Sequence, residues 1–204
     1  MPQPLQIVEL GPGRGSLSQD ILRVFSHFKL SKAISLHLVE ISPFLSNFQA
    51  SKLCIKHNEV DTNTSETNYY REGETVSGIK VYWYHRIEDV PDQKFSIVLA
   101  HEFFDALPIH KLQKDKDGWK EVLIDIDQDN EKKFKFILSK NDTVITKIFK
   151  PSPGDSRDHI EVSLNSLKII DHLRKRFETD GGFGLIMDYG HFGDKTDTFR
   201  VSLS

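Results

Sequence analysis

The most constraining feature of this chain lies at its start. A short apolar run, Leu5-Gln6-Ile7-Val8, leads directly into Glu9-Leu10-Gly11-Pro12-Gly13-Arg14-Gly15. Apolar residues then recur at helical spacing at Leu17, Ile21, Val24, Phe25 and Phe28, which predicts a helix with one apolar face. Ser16 followed by Gln19 is a capping-box pattern, so the helix is expected to begin just after the glycines. Strand, glycine-rich turn and helix together make either a plain tight turn or a place where a ligand approaches backbone. Glycines remove side chains, and a helix start offers unpaired N–H groups. Here the glycines fall on every second residue with Pro12 between them, unlike the spacing of the dinucleotide fingerprint.

The rest of the chain extends this beginning into an alternation. Residues 34–39 read as a second strand ending at Glu40, and Ser42-Pro43 as the cap and first position of a helix through Phe44, Leu45, Phe48 and Leu53. Residues 58–77 are polar and rich in Thr, Asn, Ser and Glu, which suggests a long mobile surface loop. Residues 79–84 and 95–100 read as further strands, the latter nearly continuous in apolar residues, as for a strand covered on both faces. Residues 119–126 and 133–138 alternate like the arms of a hairpin inserted over 112–138. A helix over 164–177, with Leu164, Leu167, Ile170 and Leu173 as its stripe, is stopped by Gly181-Gly182. Residues 183–187 read as a fifth central strand. The expectation is one α/β domain over 1–204, with a mostly parallel sheet and helices on both faces.

Length and composition narrow the function. The chain has 204 residues, enough for one domain with a real core. A net charge of −3 argues against binding nucleic acid by bulk electrostatics. The run Arg174-Lys175-Arg176 reads as a solvated helix face. With Cys54 as the single cysteine, neither a disulfide framework nor a cysteine metal site can form within one chain. No apolar run approaches the roughly 20 residues of a membrane span. From the sequence as it stands, no presequence is expected before the first strand.

In a parallel α/β sheet, ligands collect at the carboxyl ends of strands, and every chemically loaded residue falls at such an end. Glu9 directly before the glycines would repel a pyrophosphate but can pair with a cation, and S-adenosylmethionine carries an ammonium and a sulfonium. Glu40, at the end of the second strand, stands where an acid commonly grips ribose hydroxyls; taken alone it is an ordinary surface acid. His101-Glu102-Phe103-Phe104-Asp105 has the outline of a zinc helix motif with Asp in place of the second His, but it follows a strand, which disfavours metal. It reads instead as a pair of acids able to hold a cationic acceptor beside aromatic walls, or as ordinary strand-end residues over a Phe core. Asp188-Tyr189 closes the last strand.

As a set, Val8 to Gly15, Leu38 to Glu40, Leu99 to Pro108, Gly118 to Val122, Asp188 to His191 and Asp194 to Arg200 closely resemble the MidA-like methyltransferases, mitochondrial protein arginine methyltransferases that act in assembly of respiratory complex I. The resemblance covers about residues 5 to 200 and implies a class I methyltransferase fold of Rossmann-like type using S-adenosyl-L-methionine, in the mitochondrion. It implies symmetric dimethylation of an arginine in a complex I core subunit. By position, Glu9, Gly11, Gly13 and Gly15 would cradle the methionine end of the cofactor and Glu40 its ribose. His101, Glu102 and Asp105 would face the reacting centre, with Phe103, Phe104, Asp188 and Tyr189 on the substrate side and no resident metal. Family members have a targeting peptide and helical region before the first strand and further strands after Arg200. The resemblance therefore implies a chain truncated at both ends, with an open sheet edge. Two other readings stay open: a non-catalytic assembly scaffold, and metal-dependent hydrolysis through His101 and Glu102. Self-association is also open.

Overall fold

The computed structural model describes residues 5–62, 66–92, 94–128, 130–149, 151 and 156–190. His191 and the 194–200 stretch lie outside these residues. In chain order the elements are β1 (Leu5–Leu10), α1 (Ser16–His27), β2 (Ile34–Val39), α2 (Pro43–Leu53), β3 (Lys56–Glu59), β4 (Arg71–Glu74), β5 (Lys80–Tyr84), β6 (Ser96–His101), β7 (His110–Asp115), β8 (Gly118–Asp127), β9 (Asn130–Leu138), α3 (Val144–Ile148), β10 (His159–Val162), α4 (Leu164–Asp180) and β11 (Gly182–Met187). Where one domain was expected, the chain divides into two compact units. The first holds residues up to Ala106 together with Lys168–Tyr189; the second is built on Leu107–Leu167.

The first unit carries a sheet of order β11-β6-β1-β2-β5-β4-β3. From β11 to β5 all neighbours are parallel, and β4 and β3 add antiparallel. The α/β architecture expected from the sequence is therefore present, and its strand order reverses between β1 and β6, where such sheets form a crevice. Alternation along each strand explains the two faces. Ile7, Leu36, Leu38, Val81, Trp83 and Leu99 pack with Leu22 of α1 and Ala50 and Leu53 of α2. Val8, Leu10, Val39, Tyr84, Val98 and Ala100 pack with Leu173 and Phe177 of α4. Among the described residues no helix is long and apolar enough to cross a membrane.

Several local expectations need correction. The 58–77 segment is not one loop: it contains the end of β3 and all of β4, short polar strands that pair with each other, with β4 also pairing with β5, while 63–65 lie outside the described residues. Gly15, at φ 69°, is the N-cap of α1, and no side chain caps that helix. The hydroxyl of Ser16 instead accepts a hydrogen bond from Lys52 Nζ at 3.2 Å. In α2 the large apolar residues Phe44 and Phe48 are exposed, whereas Ser46, Gln49, Ala50 and Leu53 face inward. Ser42 does cap α2, accepting from Leu45 N, with Pro43 following it. Strand β11 is not central but lies at the edge of the described sheet, leaving Phe183, Leu185 and Ile186 about half exposed.

The run 174–176 is not uniformly solvated. Arg174 and Lys175 pair with Asp171 at the surface, but Arg176 is buried. Arg176 donates to Gln6 Oε1 (2.6 Å), Ser96 Oγ (3.1 Å), the carbonyls of Val90 (3.1 Å) and Pro91 (2.6 Å), and Asp92 (2.8 Å). It thus ties α4 to the amino ends of β1 and β6. A buried guanidinium is tolerated only with donors satisfied in this way.

The second unit is a four-stranded antiparallel sheet of order β10-β7-β8-β9. The strands of the expected 112–138 hairpin include β8 and β9, but β7 and β10 extend it into a sheet with its own core of Leu112, Ile145, Ile160 and Val162. On one face of the β8–β9 hairpin, Ile124 pairs with Phe136 and Ile126 with Phe134, and all four side chains are exposed.

Candidate functional site

The carboxyl ends of β1, β2, β6 and β11 bring most of the singled-out residues into one neighbourhood. Glu9 occupies the penultimate position of β1, in register with Leu38 of β2 and Leu99 of β6. It is 3% exposed. The hydroxyl of Ser18 on α1 donates a hydrogen bond to its carboxylate. Burial raises the Glu9 pKa above the ordinary carboxyl range; the Ser18 hydrogen bond and the nearby His101 ring oppose that rise without cancelling it. An acid held this way gains from a cation that replaces the lost water.

The glycine turn follows. Gly11 N donates to Val39 O at 3.0 Å, which stitches the turn to β2. Gly11 has φ 60°, and a Cβ there would lie 2.8 Å from Phe103 Cδ2. Glycine at this position therefore answers both to backbone handedness and to an aromatic ring from the 101–105 segment. At Gly13 a Cβ would meet nothing within 4 Å, so the turn opens onto free space there.

Glu40 directly follows β2 and is likewise buried. Its backbone N–H donates to Tyr84 O at 3.0 Å, and its carbonyl accepts from the Tyr70 hydroxyl at 2.7 Å. Its Oε1 accepts from Ser42 N at 2.8 Å and its Oε2 from Gln49 Nε2 at 3.1 Å. Each carboxylate oxygen has a second acceptor site left, so two further hydroxyl donors can be received.

The 101–105 segment leaves β6 as a turn, not a helix. His101 and Asp105 therefore do not stack one helical turn apart, and the geometry of the zinc helix motif is not met. Among the described residues no group of three His, Cys, Asp or Glu converges as metal ligands. Glu102 has φ 49°, a left-handed conformation costing a non-glycine residue about 1–2 kcal/mol. Its N–H donates to Met187 O at 2.9 Å, which fixes the turn against β11. The neighbouring Glu102 carboxylate holds the Tyr189 phenol above its usual pKa. Phe103 and Phe104 stand edge to face, 5.3 Å between ring centres, half-buried over the core. Asp188 accepts from the backbone N–H groups of Phe104 (2.9 Å) and Asp105 (3.2 Å) through Oδ2, and from Tyr189 N (2.9 Å) through Oδ1. The structure thus makes Asp188 a brace of the turn rather than a free acid. His101, Glu102 and Asp105 remain exposed. An apolar hollow lined by Val98, Leu173, Phe177 and Ile186 lies between α4 and the sheet; its lining belongs to packing, not to the strand-end acids.

Ser18, Gln49 and Tyr70 escaped the sequence reading. Each is a polar residue on an element read for its apolar periodicity or as loop, and no spacing marks it as a partner of Glu9 or Glu40.

Comparison with known proteins agrees with the motifs. A family profile described as "Putative S-adenosyl-L-methionine-dependent methyltransferase" matches residues 1–203. A mitochondrial protein arginine methyltransferase NDUFAF7 of Danio rerio is 52% identical over 199 residues, covering 96% of this chain and 46% of the relative. The NDUFAF7 homolog of Drosophila melanogaster is 50% identical, with 98% and 46% covered, and the Homo sapiens protein 44% identical, with 96% and 44% covered. The chain thus spans a little under half the length of these relatives. An uncharacterised protein from Burkholderia thailandensis shares the fold at TM-score 0.60 and 17% identity, covering 85% of this chain and 40% of that one. A second structure from that organism, bound to S-adenosyl-homocysteine, matches at TM-score 0.56 and 16% identity, with 85% and 39% covered. The resemblance read from the strand-end motifs therefore holds over the whole chain, which belongs to this family of S-adenosyl-L-methionine-dependent methyltransferases.

Proposed function

We propose that this chain carries the cofactor- and acceptor-binding core of a protein arginine N-methyltransferase, acting by symmetric dimethylation on an arginine of a mitochondrial complex I core subunit. The observation that carries the reading is the meeting of two buried acids, Glu9 and Glu40, on either side of a glycine turn that opens to free space at Gly13. These residues fit S-adenosyl-L-methionine: Glu9 suits its ammonium end, the turn its approach to backbone, and Glu40 its two ribose hydroxyls. The mitochondrial setting is supported by the names of the relatives, and the complex I substrate by the motif resemblance.

The cofactor supplies a methyl group activated by positive sulfur. The protein must then hold the acceptor nitrogen in line with it. Arginine keeps its proton in water, with a pKa above about 12. Glu102 accepts hydrogen bonds from the guanidinium and draws its charge away from the attacking nitrogen. Asp188 holds the 102–105 turn in shape, and Phe103 and Phe104 shield one side from water.

The test is methyl incorporation into a complex I subunit peptide containing arginine, alongside titration with S-adenosyl-homocysteine. Glu102→Gln is expected to cut turnover by about 100-fold or more while sparing cofactor affinity. Equal loss of both would remove Glu102 from the acceptor side. The scaffold reading rests on a different observation, the exposed apolar face of Ile124, Ile126, Phe134 and Phe136. Cofactor binding without any methyl incorporation would favour it.

A further inference from the structure

We infer that Gln49 is a positioning residue for cofactor binding, its side-chain amide joining the glycine turn to the acid of the second strand. This rests on the cofactor reading above and adds to it a residue that touches neither the cofactor nor the acceptor in that reading.

Gln49 is 0% exposed. The indole N–H of Trp83 donates to its Oε1 at 2.8 Å. Its Nε2 donates to the carbonyl of Gly13 at 2.7 Å and to Glu40 Oε2 at 3.1 Å. Trp83 Nε1 can only donate, and both partners of Nε2 can only accept there, so the amide has one orientation. Its two hydrogens are both used. Three elements meet at this group: the turn after β1, the end of β2, and β5, where Trp83 pairs in register with Leu38. Gly15 leaves room beside it, since a Cβ there would lie 3.4 Å from Gln49 Cγ.

The consequence is geometric. The turn grips the methionine end of the cofactor and Glu40 its ribose, and the spacing between them is set by one buried amide. Glu40 Oε1 is held by its own neighbour Ser42 N, but Oε2 is held only through Gln49 among the hydrogen bonds described. Without the amide the carboxylate keeps one anchor and can rotate about it, so its fit to a pair of hydroxyls degrades.

The experiment is calorimetric titration of the chain with S-adenosyl-homocysteine and with its 2′-deoxyribose analogue, which lacks one hydroxyl for Glu40. The unmodified chain should prefer the parent ligand by about tenfold or more, the worth of a hydrogen bond to a charged group. Gln49→Met should shrink that preference to within about twofold, as should Glu40→Gln, and the double variant should lose no more than the worse single one. Gln49→Glu keeps the shape and the acceptor for Trp83 but loses both donors, and it reads the same ratio if Gln49→Met does not fold. Equal weakening of both ligands with the preference intact would overturn the inference, because it would make Gln49 packing alone. Failure of the unmodified chain to bind either ligand would overturn the cofactor reading itself, before any variant is compared.

Discussion

Replacing Glu9 with glutamine separates the charge of this buried acid from its shape. In the structure Glu9 is almost fully enclosed and has one side-chain hydrogen-bond donor, Ser18. Burial, the larger influence, raises its pKa, so the fold alone penalises the charged form. The sign follows: a carboxyl with raised folded pKa contributes stability at low pH, and this is lost as pH rises through the folded value. Glu9→Gln removes that penalty and should leave the ligand-free protein at least as stable at neutral pH. Binding moves the other way. A ligand ammonium brought against Glu9 restores a partner for the charge, and losing a charged hydrogen bond of about 1.5–3 kcal/mol weakens binding by about 10- to 150-fold. Titration with S-adenosyl-homocysteine at neutral pH and at successively lower pH checks both parts. Affinity of the unmodified chain should fall toward the acid end, as Glu9 takes up a proton, whereas that of Glu9→Gln should be weak and flat. A Glu9→Gln chain binding as tightly as its parent would refute the pairing of Glu9 with the ammonium.

Two further predictions use the same architecture. Gly11→Ala combines a left-handed backbone at φ 60° with a Cβ placed 2.8 Å from Phe103, and should cost about 1–3 kcal/mol more than an unstrained swap, seen as a lower unfolding midpoint; Gly13→Ala, with nothing within 4 Å, should lose only the backbone part, and equal losses would exclude a role for the ring. His37 is buried between Ser35 (2.9 Å) and the Tyr84 hydroxyl (3.0 Å), and burial lowers its pKa from 6.5 to about 3. The unfolded chain therefore binds a proton that the fold refuses, and stability drops as pH falls from 6.5 toward 3, by at most about 1.4 kcal/mol per pH unit from this group; a His37→Gln chain with the same acid dependence of its unfolding midpoint would refute it.

The β1–glycine–α1 unit and the strand-end acids were legible because backbone chemistry writes them locally. A ligand that must touch main chain requires glycine, and a parallel strand buried on both faces reads as an unbroken apolar run. The residues that escaped are those whose burial depends on partners far away in sequence. Gln49 is polar and sits on a helix whose Phe44 and Phe48 invite the wrong face inward. Arg176 stands in a charged run and is buried only because Gln6, Ser96 and two carbonyls surround it. Strands β3 and β4 are polar, so nothing in their sequence marks them as strands until β5 offers its edge to β4 and β4 its own to β3.

The Arg176 clasp also sets an order in time. Its partner Gln6 lies 170 residues earlier, and at synthesis rates of about 5–20 residues per second that interval is roughly 10–30 s. Strands β1, β2, β5 and β6 therefore leave the ribosome with the socket at their amino ends still unfilled. Residues Leu107–Leu167 of the second unit are all synthesised before Arg176 exists. The first unit thus gains its clasp only once α4 has been made. Through that interval its side-chain amide at Gln6 and the carbonyls at Val90 and Pro91 must be served by water, and β6 waits for β11 to cover its free edge. Chaperone contact is expected to be longest there.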